Sequence, residues 1–265
     1  MNDFPSFQTL VVERFERYII VKFNRPEKLN AANDVMKREL IKLLDLVAEG
    51  GEDVDAVIFT GVGKAFTSGA DLGDWLAAIE GKKEPMRTWP ADFAIRMASL
   101  DRIFIAAVNG SAVGFGFNIL LHCDFVLSSS RATFWPPFVK RAIPTELGST
   151  FLISRILGYR KAKQLYLLGD MLNAEQARDV GIVDKIVPDE KLIEEARSLA
   201  EKIIGENAPT ALRANKRLIT QALSSTFGEA LTHETLAADK LCTSSDYREA
   251  TSAFFEKRKP SFRGK

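Results

Sequence analysis

The chain is poor in histidine and cysteine, with two of each in 265 residues. Cys123 and Cys242 lie far apart and show neither metal-ligand nor redox spacing, which excludes a disulfide framework and a zinc-finger or thioredoxin-type site. Both are expected to be reduced core thiols. His122 and His233 lack the spacing of a zinc site or a nucleophilic triad, and His122, in the apolar run Leu120-Leu121-His122-Cys123-Asp124, reads as structural. Charge of one sign is also lacking. Thirty-six basic residues face 35 acidic ones, so nothing in the balance points to nucleic acid. The basic residues Lys257, Arg258, Lys259, Arg263 and Lys265 read as a solvated tail. No window approaches the ~20 apolar residues of a bilayer span. The start of the chain has no basic stretch ahead of an apolar run, so a soluble cytoplasmic protein without a membrane partner is expected. Low-complexity segments and solenoid-period repeats are absent as well.

What is present suits one large domain, or a domain with an appendage, since 46% of the residues are hydrophobic. Thr9 to Phe15 and Tyr18 to Asn24 predict a hairpin. Asn33 is placed to cap a helix through Met36, Leu40, Leu43, Leu44 and Val47. Asp55 to Thr60, Ile103 to Val108 and Phe125 to Ser129 predict buried strands, and repeated strand, strand, helix units favour a mixed α/β core over a bundle. Asn173 with Gln176 forms a capping-box pattern. Beyond a short strand from Ile182 to Val187 the chain reads as helix, with Leu192, Ala196, Leu199, Ile203, Leu212, Leu218, Ile219 and Leu223 at helical spacing and breaks at Pro209 and Gly228.

Two segments carry chemistry: Ala65-Phe66-Thr67-Ser68-Gly69-Ala70-Asp71-Leu72, and Ala106-Ala107-Val108-Asn109-Gly110-Ser111-Ala112-Val113-Gly114-Phe115-Gly116. Each reads as a strand, a glycine turn and a helix start that delivers unpaired backbone N–H groups to a point, and two such points can form an oxyanion hole. Taken singly, glycines 61, 63, 69, 114 and 116 also fit tight turns and close helix packing. Together with Asn24-Arg25-Pro26-Glu27-Lys28-Leu29-Asn30-Ala31, the set resembles the crotonase (enoyl-CoA hydratase/isomerase) superfamily, over essentially the whole chain. The resemblance implies an α/β fold, with a crotonase-like repeated ββα spiral core over residues 1–200 and a C-terminal helical oligomerisation segment over 201–265. It also implies an acyl-CoA thioester substrate, no cofactor beyond the coenzyme A of that substrate, no metal, and a homotrimer or hexamer. The ending Arg263-Gly264-Lys265 is not the Ser-Lys-Leu peroxisomal address.

On the family pattern the oxyanion donors are the N–H groups of Ala70 and Phe115. Phe115 stands where many relatives have glycine, and this matters only if the backbone there needs positive φ. The same resemblance assigns Ser68, Gly69, Ala70, Asp71, Leu72 and Gly114 to substrate binding and places Lys28 near the CoA nucleotide, where an ammonium would pair with phosphate. Read from the residues alone, Asp71 is a helix cap or dipole partner and Lys28 an exposed turn lysine. Trp75, Trp89 and Phe93 fall where relatives shape the acyl pocket.

The hydratases of the family place two glutamates across a water; here Asn118 and Phe138 occupy those positions, and neither can take a proton from water. Glu146, in Thr145-Glu146-Leu147-Gly148-Ser149-Thr150, stands where double-bond-shifting members carry a carboxylate. It is the candidate base, desolvated by a wall of Phe134, Trp135 and Phe138. Its other reading is a dipole partner at a helix start. The reaction implied is isomerisation of 3-enoyl-CoA to trans-2-enoyl-CoA. Hydration or another crotonase reaction is the alternative, and a non-catalytic acyl-CoA- or RNA-binding member a further one. The basic residues Lys37, Arg38 and Lys42 on the first helix are interrupted by Glu39 and Asp45, which is poor support for RNA.

Overall fold

The computed structural model describes residues 4–49 and 54–264. A hairpin of β1 (Leu10–Arg14) and β2 (Tyr18–Phe23) leads into α1 (Asp34–Glu49), where Asn33 Oδ1 accepts the Met36 N–H at 2.9 Å and the five expected apolar residues are buried. Three units of one plan follow. β3 (Ala56–Gly61) and β4 (Ala65–Thr67) precede α2 (Leu72–Ile79) and α3 (Trp89–Ser99); β5 (Ile103–Val108) and β6 (Ser111–Val113) precede α4 (Phe115–Leu120). β7 (Phe125–Ser129) and β8 (Thr133–Trp135) precede α5 (Ser149–Leu157) and α6 (Tyr159–Leu168). After β9 (Leu172–Asn173), α7 (Ala174–Val180) and β10 (Lys185–Val187), the chain closes with α8 (Leu192–Glu206), α9 (Pro209–Ala222), α10 (Phe227–Leu241) and α11 (Ser245–Phe255).

Each unit gives its first strand to a six-stranded sheet, ordered β1-β2-β3-β5-β7-β10, and its second to a four-stranded sheet, ordered β4-β6-β8-β9. Among the described residues only the β1–β2 and β8–β9 pairings are antiparallel. The two-residue period of a strand sorts side chains between the faces of the larger sheet. Ile19, Val21, Phe23, Val57, Phe59, Phe104 and Ala106 face the main core. Ile20, Ala56, Ile58, Ile105 and Ala107 face α8, which covers them with Leu192, Ala196, Ala200 and Ile204. The division expected at residue 200 therefore falls inside a helix that is packed on the sheet.

Some local expectations are corrected. The strand expected from Ile182 begins at Lys185, because Asp184 Oδ2 accepts the Val126 N–H at 2.6 Å and turns the chain into register. Gly228 lies inside α10; the break precedes it, at Thr226, which forms a capping box with Glu229. Cys242 is exposed and Cys123 partly buried, both as free thiols. The basic tail is held rather than loose: Arg258 bonds Glu249 and Glu256, and Asp246 accepts the N–H groups of Arg263 and Gly264 at 2.8 and 2.9 Å. α9 is tied to the sheet ends through Lys216, which meets Asp124 at 2.6 Å. No helix among the described residues is long and apolar enough to cross a membrane.

Candidate active site

β4 and β6 run parallel, with Ala65 opposite Ser111, so both glycine turns leave the smaller sheet at the same edge. Gly69 has φ +93°, and a Cβ there would lie 2.9 Å from the Val113 carbonyl oxygen; the two turns can touch only because that atom is missing. Gly114, at φ +54° and ψ −110°, holds a conformation open to glycine and starts α4 at Phe115. The Phe115 N–H is a first-turn donor without an intrahelical acceptor. Ala70 is freed differently from the expected helix start, since Asp71 caps α2 and Ala70 precedes the cap. It forms a parallel bridge with Ala32, in which Ala32 N–H donates to the Gly69 carbonyl at 2.7 Å and Asp71 N–H to the Ala32 carbonyl at 3.1 Å. In such a bridge Ala70's own N–H faces away from Ala32. Among the described residues neither the Ala70 nor the Phe115 N–H meets an acceptor, and both residues line one cavity of about 420 Å³. Phe115 does not adopt positive φ, so its side chain is no obstacle. Its ring packs instead against Trp89 and Phe93, with centroids 5.0 and 5.9 Å away.

Glu146 lines the same cavity. It precedes two left-handed residues, Leu147 at φ +60° and Gly148 at φ +63°. For leucine this conformation costs ~1–2 kcal/mol and persists only where the surroundings enforce it. Several contacts do so. Leu147 is buried, and its carbonyl accepts a hydrogen bond from His122 Nε2 at 2.8 Å. Asn118 Nδ2 donates to the Glu146 carbonyl at 3.0 Å and to Thr145 Oγ1 at 3.1 Å, while Asn118 Oδ1 accepts from the Tyr166 hydroxyl at 2.8 Å. Desolvation lowers the pKa of His122 despite the Leu147 bond, consistent with a neutral imidazole that donates through Nε2. Burial raises the pKa of Glu146, and the Lys37 ammonium offsets part of that effect. Among the described residues no ion pair or hydrogen bond engages the Glu146 carboxylate. It also lies ahead of Gly148, the N-cap of α5, and so outside the first turn that a dipole partner would occupy.

The cavity walls are Trp75, Met86, Trp89 and Phe115 on one hand and a charged network on the other. Asp34 binds Lys37 at 3.0 Å and also Lys83, and Lys83 reaches Asp74 at 3.0 Å. Burial opposes ionisation of Asp34, but the hydrogen bonds from Lys83 and Lys37 prevail and hold its pKa low. The expected wall of Phe134, Trp135 and Phe138 is not part of the cavity. Phe134 is in the core, Trp135 Nε1 donates to the Gly169 carbonyl at 2.8 Å, and Phe138 packs on Tyr166, because alternation along β8 and the turn after it direct these rings elsewhere.

Residues 14–265 match the Enoyl-CoA hydratase/isomerase family. The chain belongs to that family. It is 34% identical over 264 residues to the short-chain-enoyl-CoA hydratase of Clostridium acetobutylicum, covering 96% of this chain and 97% of that protein. It is 31% identical over 262 residues to the crotonyl-CoA hydratase of Syntrophomonas wolfei, covering 97% and 98%. The crystal structure of an enoyl-CoA hydratase from Bacillus anthracis superposes with a TM-score of 0.90 at 30% identity, over 97% of this chain and all of that one. As an enoyl-CoA hydratase/isomerase family member, the chain has the crotonase α/β fold and is a crotonase-type acyl-CoA enzyme.

Of the remaining expected residues of this family member, Lys28, Ser68, Gly69, Asp71, Leu72 and Gly114 lie around the cavity rather than on its wall. Gly69 and Gly114 shape the two turns. Lys28 is exposed in a short turn beside Ser68, whose N–H donates to the Leu29 carbonyl at 2.9 Å, and Leu72 is exposed at the start of α2. Asp71 caps α2 by accepting the Gly73 N–H at 2.9 Å and pairs with Arg25 at 2.8 Å. Burial opposes its ionisation, and the Arg25 and Gly73 bonds outweigh that and lower its pKa. Arg25 also donates to the Ala31 carbonyl at 2.5 Å, clasping the first motif to the turn after β4. Of the pocket aromatics, Trp75 and Trp89 line the cavity while Phe93 is core. Asp34, Asp74, Met86 and Arg87 were not foreseen as part of the site, and neither were Lys37 and Lys83. Lys37 is buried on the cavity wall, and the available signal was its helical spacing from Leu40 and Leu44 on the apolar stripe of α1. Lys83 lies on a loop without periodicity and gave no such signal. With Lys37 buried, Glu39 accepting the Thr9 N–H at 2.9 Å and Asp45 paired with Arg96 at 2.7 Å, α1 does not offer a free basic face.

Proposed function

We propose that the protein shifts the double bond of a 3-enoyl-CoA to the 2-position, with Glu146 as the single proton shuttle and the Ala70 and Phe115 N–H groups as the oxyanion hole. The observation that carries this reading is the placement of an unpaired, desolvated carboxylate on the cavity that both free N–H groups line. With the thioester oxygen at those N–H groups, Glu146 takes a proton from the α-carbon and the electron pair moves into a dienolate. The acid so formed returns the proton to the γ-carbon, which leaves the double bond between the α- and β-carbons. No water is consumed. Asn118 and Phe138, at the two hydratase carboxylate positions, support the one-carboxylate scheme: both are buried and neither lines the cavity. The other wall carboxylates, Asp34 and Asp74, are engaged by lysines.

Hydration of 2-enoyl-CoA is the second reading, favoured by the hydratase names of the relatives. Purified protein offered 3-enoyl-CoA and 2-enoyl-CoA of several chain lengths separates the two. Formation of the conjugated 2-enoyl thioester, falling ~100-fold or more in Glu146→Gln, is the expected result. Water addition without isomerisation overturns it. For assembly we infer a trimer or hexamer, supported by the exposed Phe227 and Leu236 of α10 and Phe254 and Phe255 of α11, which a partner subunit would cover. Lys28 is assigned to the CoA nucleotide and residues 68–72 to substrate binding, consistent with Ala70 on the cavity wall and its neighbours beside it.

A further inference from the structure

A fatty acyl chain needs an apolar cavity, yet one side of this cavity carries lysines with spare hydrogen-bond donors. Both oxygens of Asp34 are taken, Oδ1 by Lys37 and Oδ2 by Lys83. Both oxygens of Asp74 are taken as well, Oδ1 by Lys83 and Oδ2 by the Asp34 N–H at 2.8 Å. An ammonium has three N–H donors. Lys37 spends one on Asp34 and Lys83 spends one on each aspartate, so donors remain on both without an acceptor among the described residues. Lys37 is only 8% exposed, which leaves its spare donors little access to bulk water. Arg87, on the same wall, has no acidic partner among the described residues. The three cations of the lining are matched in number by Asp34, Asp74 and Glu146, so the surplus is of donors, and a hydrocarbon tail supplies no acceptor for them.

We propose that the acyl group of the substrate ends in a carboxylate, bound by the ammonium groups of Lys37 and Lys83 and the guanidinium of Arg87. The substrate class is then the CoA thioester of a dicarboxylic acid. This rests on the acyl-CoA reading of the cavity and deepens it. The carboxylate supplies the missing acceptors, while Trp75 and Met86 line the path of the methylene groups.

Calorimetric titration with saturated, unreactive CoA thioesters of equal length tests the inference, one ending in a carboxylate and one in a methyl group. The carboxylated thioester is expected to bind about tenfold more tightly to the wild-type protein, as one well-made charged hydrogen bond allows. That advantage should shrink towards parity in Lys83→Gln and in Arg87→Gln, the latter altering an exposed side chain that the fold does not need. Equal or tighter binding of the methyl-ended thioester overturns the inference, as does an advantage that both variants retain. The reaction is assayed separately. A binding preference for the carboxylate without isomerisation removes the reaction and keeps this inference, whereas isomerisation with no preference between the two ends does the reverse.

Discussion

The side-chain amide of Asn118 donates to the backbone carbonyl of Glu146 at 3.0 Å. Asn118 lies one helical turn beyond Phe115 on α4, so one short helix carries the proposed oxyanion donor at its first residue and the clamp on the candidate base further along. Asn118, read from the sequence as standing at a hydratase glutamate position, holds the loop of a different carboxylate here. Asn118→Ala takes one hydrogen bond from the Tyr166 hydroxyl and one from the Glu146 carbonyl, which keeps the Ser149 N–H at 3.2 Å, and should cost ~1–3 kcal/mol in stability. It should also lower kcat for isomerisation by about tenfold with little change in KM, because the loss is of base position rather than substrate contact. Tyr166→Phe removes the hydroxyl's bonds to Asn118, Thr145 and Ser149 but leaves Asn118 on the Glu146 carbonyl, and should show a smaller fall. Steady-state kinetics beside thermal melts check this; a raised KM with kcat intact would instead place Asn118 in substrate binding.

The raised pKa of Glu146 sets the sign of a pH effect. Burial raises it above the unfolded value and Lys37 only partly opposes this, so the folded protein binds the proton more tightly than the unfolded chain. Its contribution to stability is complete below the unfolded carboxyl pKa and is lost as pH rises through the folded one. Glu146→Gln cannot titrate. It should melt above wild type at neutral pH and converge with it at acid pH, while wild-type isomerisation rises across the same window as the base ionises. Melting temperature against pH for both proteins is the measurement, and parallel curves would contradict the assignment of a desolvated carboxylate.

Local periodicity made much of the fold legible. Ile103–Val108 and Phe125–Ser129 are strands at the expected residues, and the stripe from Met36 to Val47 is the buried face of α1. The two glycine turns were legible for the same reason, since each is a short contiguous pattern. What no local window contains is pairing across the chain. Ala70 is freed by its bridge to Ala32, and Asn118 meets Glu146 only because α4 and the loop before α5 pack together. Asn118 was expected at a hydratase glutamate position; the use made of the asparagine was not legible. The rings expected around Glu146 illustrate the converse, because nearness in sequence to a base said nothing about the direction in which β8 turns its side chains.

Gly69 and Gly114 should respond to substitution by different physics. Gly69→Ala places a Cβ 2.9 Å from the Val113 carbonyl oxygen at φ +93°, so strain and collision act together and the turns must separate. Removing one oxyanion donor by displacement lowers kcat ~100-fold or more. At Gly114 a Cβ meets nothing within 4 Å, which leaves backbone strain alone, ~1–3 kcal/mol. Gly114→Ala should therefore destabilise the protein while keeping a larger share of its activity than Gly69→Ala. Isomerisation rates normalised to the folded fraction separate the two, and a reversed order would mean that contact between the turns does not hold the donors.

Asp55 ties the C-terminal helices to the sheet. It is 2% exposed just ahead of β3, accepts from Arg17 Nε at 2.7 Å and binds Arg213 of α9 at 2.7 Å. Removing one partner of a buried charged cluster typically costs about 3–5 kcal/mol, and the partial exposure of Arg17 argues for the lower end. Asp55→Ala should therefore lose roughly 3 kcal/mol in denaturant melts. Asp55→Asn keeps the shape and one acceptor, so it should lose less. Because Arg213 sits on α9, the alanine variant should also be cleaved by protease within 209–264 before the core is. Cleavage spread evenly over the chain would instead mean that Asp55 supports the sheet edge alone, with α9 held by Lys216 and its contacts to Asp124 and the Arg102 carbonyl.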